Sequence, residues 1–420
     1  MDRAPACLDH CCGSQLHPAR GTAGRLGVLL GLLWLLGGCL QGAGPASTLE
    51  QAAYVWQRRW SADLVDALSA SRTRLTALRV LAMERDPAGR WVEAQPDLAA
   101  LATDARAVVL VLRIDGFRPP GIDQAADLAA RLRQQADRWQ AAGVRLAGLE
   151  LDHDCARARL PDYVRLLDVL RPDLPDLPLS ITALPDWTGA PGWTELLARV
   201  DHAVLQVHAV DRPERGIFDA ERAEAQARAF AAAAGGRRWR LALPAYGLAL
   251  RTDREGRVTG IEAERPRGAS PARGWQEWRA DPRAVAGLLE RLQVDPPPGL
   301  SGILWFRLPR AGDRRAWSWT TLAAVIDGAP LTVDFAVDVI PNAHGALDLW
   351  IRHRGSLDAE PPSLRVDGHC PWGDAQAPWA RSGSASTARF EPAAGVYLRA
   401  GSRQRLGWLR CEGAPAISLQ

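Results

Sequence analysis

The 420-residue chain contains no lysine; all 51 of its basic side chains are arginine. With so much alanine beside them, this reads as coding bias in a GC-rich genome. Charge is nearly balanced, 51 basic residues against 48 acidic ones, and no basic block stands out. A nucleic-acid partner is therefore not expected. The apolar run at residues 27–38 falls short of the ~20 residues that a membrane-spanning helix needs. No Gly-rich phosphate loop follows the first strand-like run, which removes the main support for an open dinucleotide-binding sheet. No tight His/Asp spacing suggests a metal site, and neither a metal nor a cofactor is expected. What the chain does have is tryptophan, in 17 copies. Flat, apolar indoles pack cores in most proteins and stack on sugar rings in some; composition alone does not separate the two.

The short apolar run has a meaning of its own. Residues 27–38 read GVLLGLLWLLGG, with Arg20 and Arg25 before them. That is the form of a secretory signal core. The run ends in Leu36-Gly37-Gly38-Cys39, which resembles the lipobox of bacterial lipoproteins. The resemblance implies a signal peptide over 1–38 and a lipid anchor on the sulfur of Cys39. With Leu40 next instead of aspartate, it also implies the outer membrane, facing the periplasm or the surface. The competing reading is an ordinary signal peptide with a chance cysteine. Cys7, Cys11 and Cys12 leave with the leader, and Cys39, Cys155, Cys370 and Cys411 remain. An oxidising periplasm allows a Cys370–Cys411 disulfide, although spacing does not decide pairing.

After a linker at 39–50, strand-like apolar runs alternate with helical segments. The runs are 53–56, 78–83, 107–114, 146–151, 179–184, 203–207, 240–243 and 302–306. Short, continuously apolar strands between helices predict a parallel sheet covered on its faces. Helix signals fall between them. Gly143 stops a helix over 121–142, and Asp219 caps one that ends at Gly235-Gly236. Asp281-Pro282 opens another, and a last one spans about 313–327. Eight units over 51–328 match the size of a (β/α)8 TIM barrel, about 250 residues. A hairpin around Asp253–Gly256 interrupts the seventh unit. From 329 to 420 the helical pattern is lost and period-two alternation appears, as in Leu347-Asp348-Leu349-Trp350-Ile351. A small β-sandwich-like domain is expected there, either packing on the barrel or binding sugar.

Barrel sites lie at the C-terminal ends of the strands. In the fourth run Glu150, Asp152 and Asp154 share one face and Leu149 and Leu151 the other. The leucines suit the helix side, so the acids point into the barrel or its mouth. Buried carboxylates must be paired, bonded or protonated. The alternative to a site is a structural network with arginines such as Arg113. Close carboxylates split their pKa values, so one can hold a proton near neutrality. Arg113 and Asp115 end the third run, Gln206 and His208 the sixth; Trp56 ends the first, Tyr246 follows the seventh and Trp305 lies in the eighth. All of these, and Glu150, are expected to contact substrate.

Gly148-Leu149-Glu150-Leu151-Asp152-His153-Asp154 resembles the fourth-strand motif of the chitinase-like family-18 glycoside hydrolases. Leu179-Ser180-Ile181, Pro244-Ala245-Tyr246-Gly247 and Gly302-Ile303-Leu304-Trp305 are similar to later strands of that family. The resemblance implies Asp154 as proton donor, Asp152 as its assistant and positioner of an N-acetyl group, and Trp305 as the floor of a sugar pocket. The family's donor is glutamate, whereas this chain has the shorter aspartate. The whole chain beyond the leader also resembles the bacterial domain of unknown function 3142, through Tyr54-Val55-Trp56-Gln57, the acidic strand and Gly407-Trp408-Leu409-Arg410-Cys411. Three functions follow as expectations. The first is a glycoside hydrolase on an envelope or exported polysaccharide, the second a sugar-binding barrel without catalysis, and the third an envelope assembly protein.

Overall fold

The structure, a computed structural model, describes residues 49–208, 216–263 and 274–420. The signal peptide, Cys39 and nearly all of the linker lie outside the described residues. Eight parallel strands build the body: β1 (Glu50–Val55), β2 (Ala77–Arg85), β3 (Ala107–Ile114), β4 (Leu146–Asp152), β5 (Leu179–Ala183), β6 (His202–Gln206), β7 (Trp239–Pro244) and β8 (Leu300–Phe306). Each pairs with the next, and β8 returns to β1 in parallel, with Trp305 opposite Ala53. The sheet is closed: a (β/α)8 barrel, as the alternating pattern implies.

Alternation along each strand divides the apolar residues between two cores. Val55, Leu110, Leu149, Ile181, Leu205, Leu241 and Trp305 face outward into a main core with the helices. Tyr54, Leu81, Val111, Val204, Ala242 and Leu304 face inward and fill the barrel. At the foot of the barrel, Ala52, Ala77, Ala107 and Gly148 are too small to complete the filling. They leave a cavity of about 160 Å³, bordered also by Arg79, His202 and Arg240.

The helices follow their caps. Asp219 accepts from the Arg222 amide to start helix Ala220–Ala234, which ends at left-handed Gly235. Asp281 caps helix Pro282–Val294 in the same way. The last helix is shorter than its pattern suggests and spans Trp319–Ile326. Ser318 supplies its cap, and residues 307–317 instead form a loop in which Arg307 pairs with Asp313, both nearly fully buried. The hairpin after β7 is present, with its turn held by the Arg257 amide on Asp253 (2.8 Å). A third strand, Trp275–Arg279, joins Gly247–Thr252 and Val258–Glu262 to make a small antiparallel sheet.

The C-terminal region forms two four-stranded antiparallel sheets. Leu349, Ile351, Val366, Phe390 and Leu406 fill the space between them, and a Cys370–Cys411 disulfide ties it. The contact with the barrel is polar. Asp358 accepts from the Ser318 amide (2.7 Å) and the Thr321 hydroxyl (3.0 Å), and Arg399 donates to the Arg310 carbonyl (3.0 Å).

Candidate active site

The inner face of β4 runs from a sealed interior to an open mouth. Glu150, at 0 % exposure, sits in the interior. It pairs with Arg79 and accepts from the Tyr54 hydroxyl (2.8 Å) and the Ser180 hydroxyl (2.9 Å). Arg79 also donates to Ser180 (2.9 Å). Burying either charge alone would be strongly unfavourable, so the two must be placed together. With both of its oxygens engaged, Glu150 is a structural carboxylate. The expectation that it contacts substrate is corrected, and its partner is Arg79 rather than Arg113. The sequence signal for this was a lone arginine between Leu78 and Val80 in an otherwise apolar strand.

One step up, Asp152 is buried and accepts from the Gln206 side-chain amide (3.1 Å). Burial raises its pKa, against Arg113 and the hydroxyl of Thr182, which lower it. Asp154 stands two residues beyond the end of the strand and is exposed at the mouth. The crowded walls around it and then the neighbouring Asp152 charge raise its carboxyl to about 7, with Arg113 pulling the other way. Between the two acids, His153 points outward. It is buried, 2.9 Å from the Ile114 carbonyl through Nδ1, and held neutral with a pKa of about 4. The alternation that puts Asp152 and Asp154 on one face is thus kept past the end of the strand.

Aromatic rings make the opposite wall. Phe306 lies at the centre, with its ring centroid 5.3 Å from Trp56, 5.3 Å from Tyr246 and 5.2 Å from the stacked imidazole of His208. The His208 Nε2 is buried and has no hydrogen-bond partner among the described residues, and burial lowers the ring to about 4. It is therefore a neutral wall residue at pH 7. Arg307 places its guanidinium 5.5 Å from the Tyr246 ring. Arg113 and Asp115 stand at the end of β3, 3.9 Å apart and partly exposed.

Trp305 is not part of this wall. It points outward at 0 % exposure and donates its indole N–H to Gln51 (2.8 Å). It cannot floor a pocket inside the barrel; Phe306, one residue on, has that place. Reading Gly302-Ile303-Leu304-Trp305-Phe306 alone leaves the inner face open, because both faces of a barrel strand are apolar. Thr182 was also missed; its hydroxyl accepts from the His153 amide (3.2 Å) and lowers the pKa of the neighbouring Asp152. A threonine two residues after an inward serine on β5 was the available sign. Among the described residues, no group of three or more His, Cys, Asp or Glu side chains could hold a metal ion.

Residues 104–311 match the family model described as Domain of unknown function (DUF3142). That span includes β3 to β8, with Asp115, Asp152 and Asp154. Residues 337–412, in the C-terminal sheets, match Domain of unknown function (DUF8456). No curated protein matches the chain in sequence. Among solved structures, the chain is similar to the spore cortex-lytic enzyme SleL of Bacillus cereus, at 16 % identity over 69 % of this chain and 76 % of that one, with a TM-score of 0.47. It is similar to a chitinase from Chromobacterium violaceum at 16 % identity over 67 % and 98 %, with a TM-score of 0.44. A chitinase from Bacillus thuringiensis aligns at 9 % identity over 88 % and 100 %, with a TM-score of 0.42.

Proposed function

We propose that the barrel is a glycoside hydrolase acting on an envelope or exported polysaccharide, with Asp154 as its general acid. One observation carries this reading. Asp154 stands open at the mouth with its carboxyl raised to about 7, beside a second, buried aspartate. A carboxylic acid that keeps its proton near neutral pH can deliver it to a leaving group. Here the proton goes to the glycosidic oxygen as the bond from that oxygen to the anomeric carbon breaks. Asp152, held by Gln206, places negative charge where positive charge develops on the sugar. Water supplies the new hydroxyl, and its second proton restores Asp154. The aromatic wall around Phe306 gives the sugar ring a flat surface, and His208 Nε2 and Tyr246 stand beside it. The lipobox-like Cys39 supports export and a lipid anchor at the outer membrane, which would bring the barrel to such a polysaccharide.

The test is release of reducing sugar from a panel of polysaccharides, including peptidoglycan and chitin, by the chain lacking residues 1–38. Asp154→Asn should lose turnover while keeping its fold. Equal turnover in both proteins, or turnover in neither, sinks the proposal. A second reading, sugar binding without catalysis, is favoured by the aspartate that stands where the resembling motif has glutamate, one methylene shorter. It requires glycan binding without product, unchanged in Asp154→Asn and lost in Phe306→Ala.

A further inference from the structure

The C-terminal sheet formed by Phe335–Pro341, Leu347–His353, Arg403–Arg410 and Trp372–Ala375 has an outer face that the hydrophobic core does not use. Its register places three tryptophans on that face. Trp408 sits opposite Asp348 on one side and Asp374 on the other. Trp350 is opposite Arg405, and Trp372 is opposite Arg410. The three therefore lie on one diagonal across three neighbouring strands, each step about 7–8 Å by ordinary sheet geometry. None belongs to the core cluster, where Trp379 does the packing. Trp372 is 67 % exposed. Trp350 and Trp408 are half-buried, and a row of indoles only partly covered needs a reason, because apolar surface that folding leaves in water commonly marks a contact site.

The surroundings say which kind. Arg352 pairs with Asp338 and Arg405 with Asp348 (2.6 Å), so much of the charge on this face is internally matched. Arg403 holds its guanidinium 4.4 Å from the Trp350 ring centroid, placing donors directly above an indole. Asp374 remains exposed beside Trp408 as an acceptor. Flat apolar rings, interleaved donors and acceptors, and little net charge fit a neutral polyol. They fit a polyanion or an anionic lipid surface less well, since the arginines of this face that pair with no carboxylate among the described residues, Arg403 and Arg410, are engaged over Trp350 and with the His344 carbonyl (2.6 Å). The barrel contacts made by Asp358 and Arg399 come from loops and leave these strands' outer face free.

We infer that this face is a second carbohydrate-binding site, separate from the barrel mouth, which takes an extended glycan chain laid along the Trp350–Trp408–Trp372 diagonal. An open, groove-free sheet suits a ribbon-like chain such as a β-1,4-linked glycan, whose rings present broad faces, better than a coiled one. The site would hold the enzyme on an insoluble polymer while the barrel works on it, but its existence does not depend on the barrel being active.

The experiment measures binding of the chain lacking residues 1–38, in its Asp154→Asn form so that nothing is consumed, to crystalline chitin, cellulose and purified peptidoglycan sacculi. Adding Trp372→Ala and Trp408→Ala together should weaken binding to at least one of these at least tenfold. In the active background the same pair should leave turnover of a short soluble oligosaccharide unchanged. Both indoles are off the core, so near-ultraviolet circular dichroism and melting temperature should confirm an intact fold. Binding that the pair leaves intact, binding lost instead with Phe306→Ala, or binding to none of the three polymers would each overturn the inference. So would binding to phosphatidylglycerol vesicles that exceeds binding to all three polymers.

Discussion

Glu150 lies on β4 and Asp154 just beyond its end, four residues on and on the side of the same face, yet they do opposite things. Glu150 is closed in by an arginine and two hydroxyls, with nothing left for a ligand. Asp154 is open at the mouth and meets the charge of Asp152 instead of a dedicated cation. The difference is one of supply. The interior provides Arg79 from β2, so the carboxylate there is held charged. The mouth crowds Asp154 and then sets a second acid beside it, so its proton is held more tightly. One face of one strand is thus a brace at one end and a proton store at the other.

The sharpest way to break this comparison is to treat both ends alike. Asp154→Asn is expected to lower kcat/KM by roughly 10²–10⁴-fold, the usual worth of a general acid, with an unchanged denaturation midpoint at pH 4, where the parent carboxyl holds its proton in the folded state. Glu150→Gln is expected to do the reverse. It strands Arg79 in the interior and should cost about 3–5 kcal/mol of stability in urea unfolding, taking activity down only with the fold. If the matched apolar pair Arg79→Met with Glu150→Leu recovers most of that loss, the brace role is secured.

A smaller effect should appear with pH. Asp154 acts while protonated, so activity should be present below about 7 and fall as pH rises through that value. Asp152→Asn removes the charge that helps to raise Asp154, so the residual alkaline limb should move to lower pH. Stability follows the same sign. The folded carboxyl holds its proton more tightly than the ordinary value of 3.8, so its favourable contribution is full below 3.8 and gone above about 7. The melting temperature of Asp154→Asn relative to the parent should therefore be higher at pH 8 than at pH 4. Phe306→Ala should raise KM about tenfold with little change in kcat, the loss of one stacked ring. Trp305→Phe should cost only ~1 kcal/mol, the value of its hydrogen bond to Gln51, and leave kinetics untouched.

These last two residues show where the sequence is legible and where it stops. The strands could be placed because buried parallel strands are short, apolar and bounded by clear helix caps; Ala107–Ile114 falls where its apolar run does. The acids of β4 could be placed because leucines alternate with them and mark the other face. On β8 the neighbours are all apolar, so nothing in Leu304-Trp305-Phe306 says which ring looks inward. That choice is made by the register of β8 against β1, a long-range fact. Arg79 was visible but had no assigned partner, because the contact joins strands 71 residues apart.

The brace has a kinetic side. Among the described residues, Arg79, Glu150, Tyr54 and Ser180 bond to one another across the waist, and Val111, Val204 and Leu304 fill the interior with them between the mouth and the cavity at the barrel's foot. So filled, the mouth works as a blind-ended pocket. Whatever leaves must use the door by which the next molecule arrives, so departing fragments and incoming chain compete for one opening.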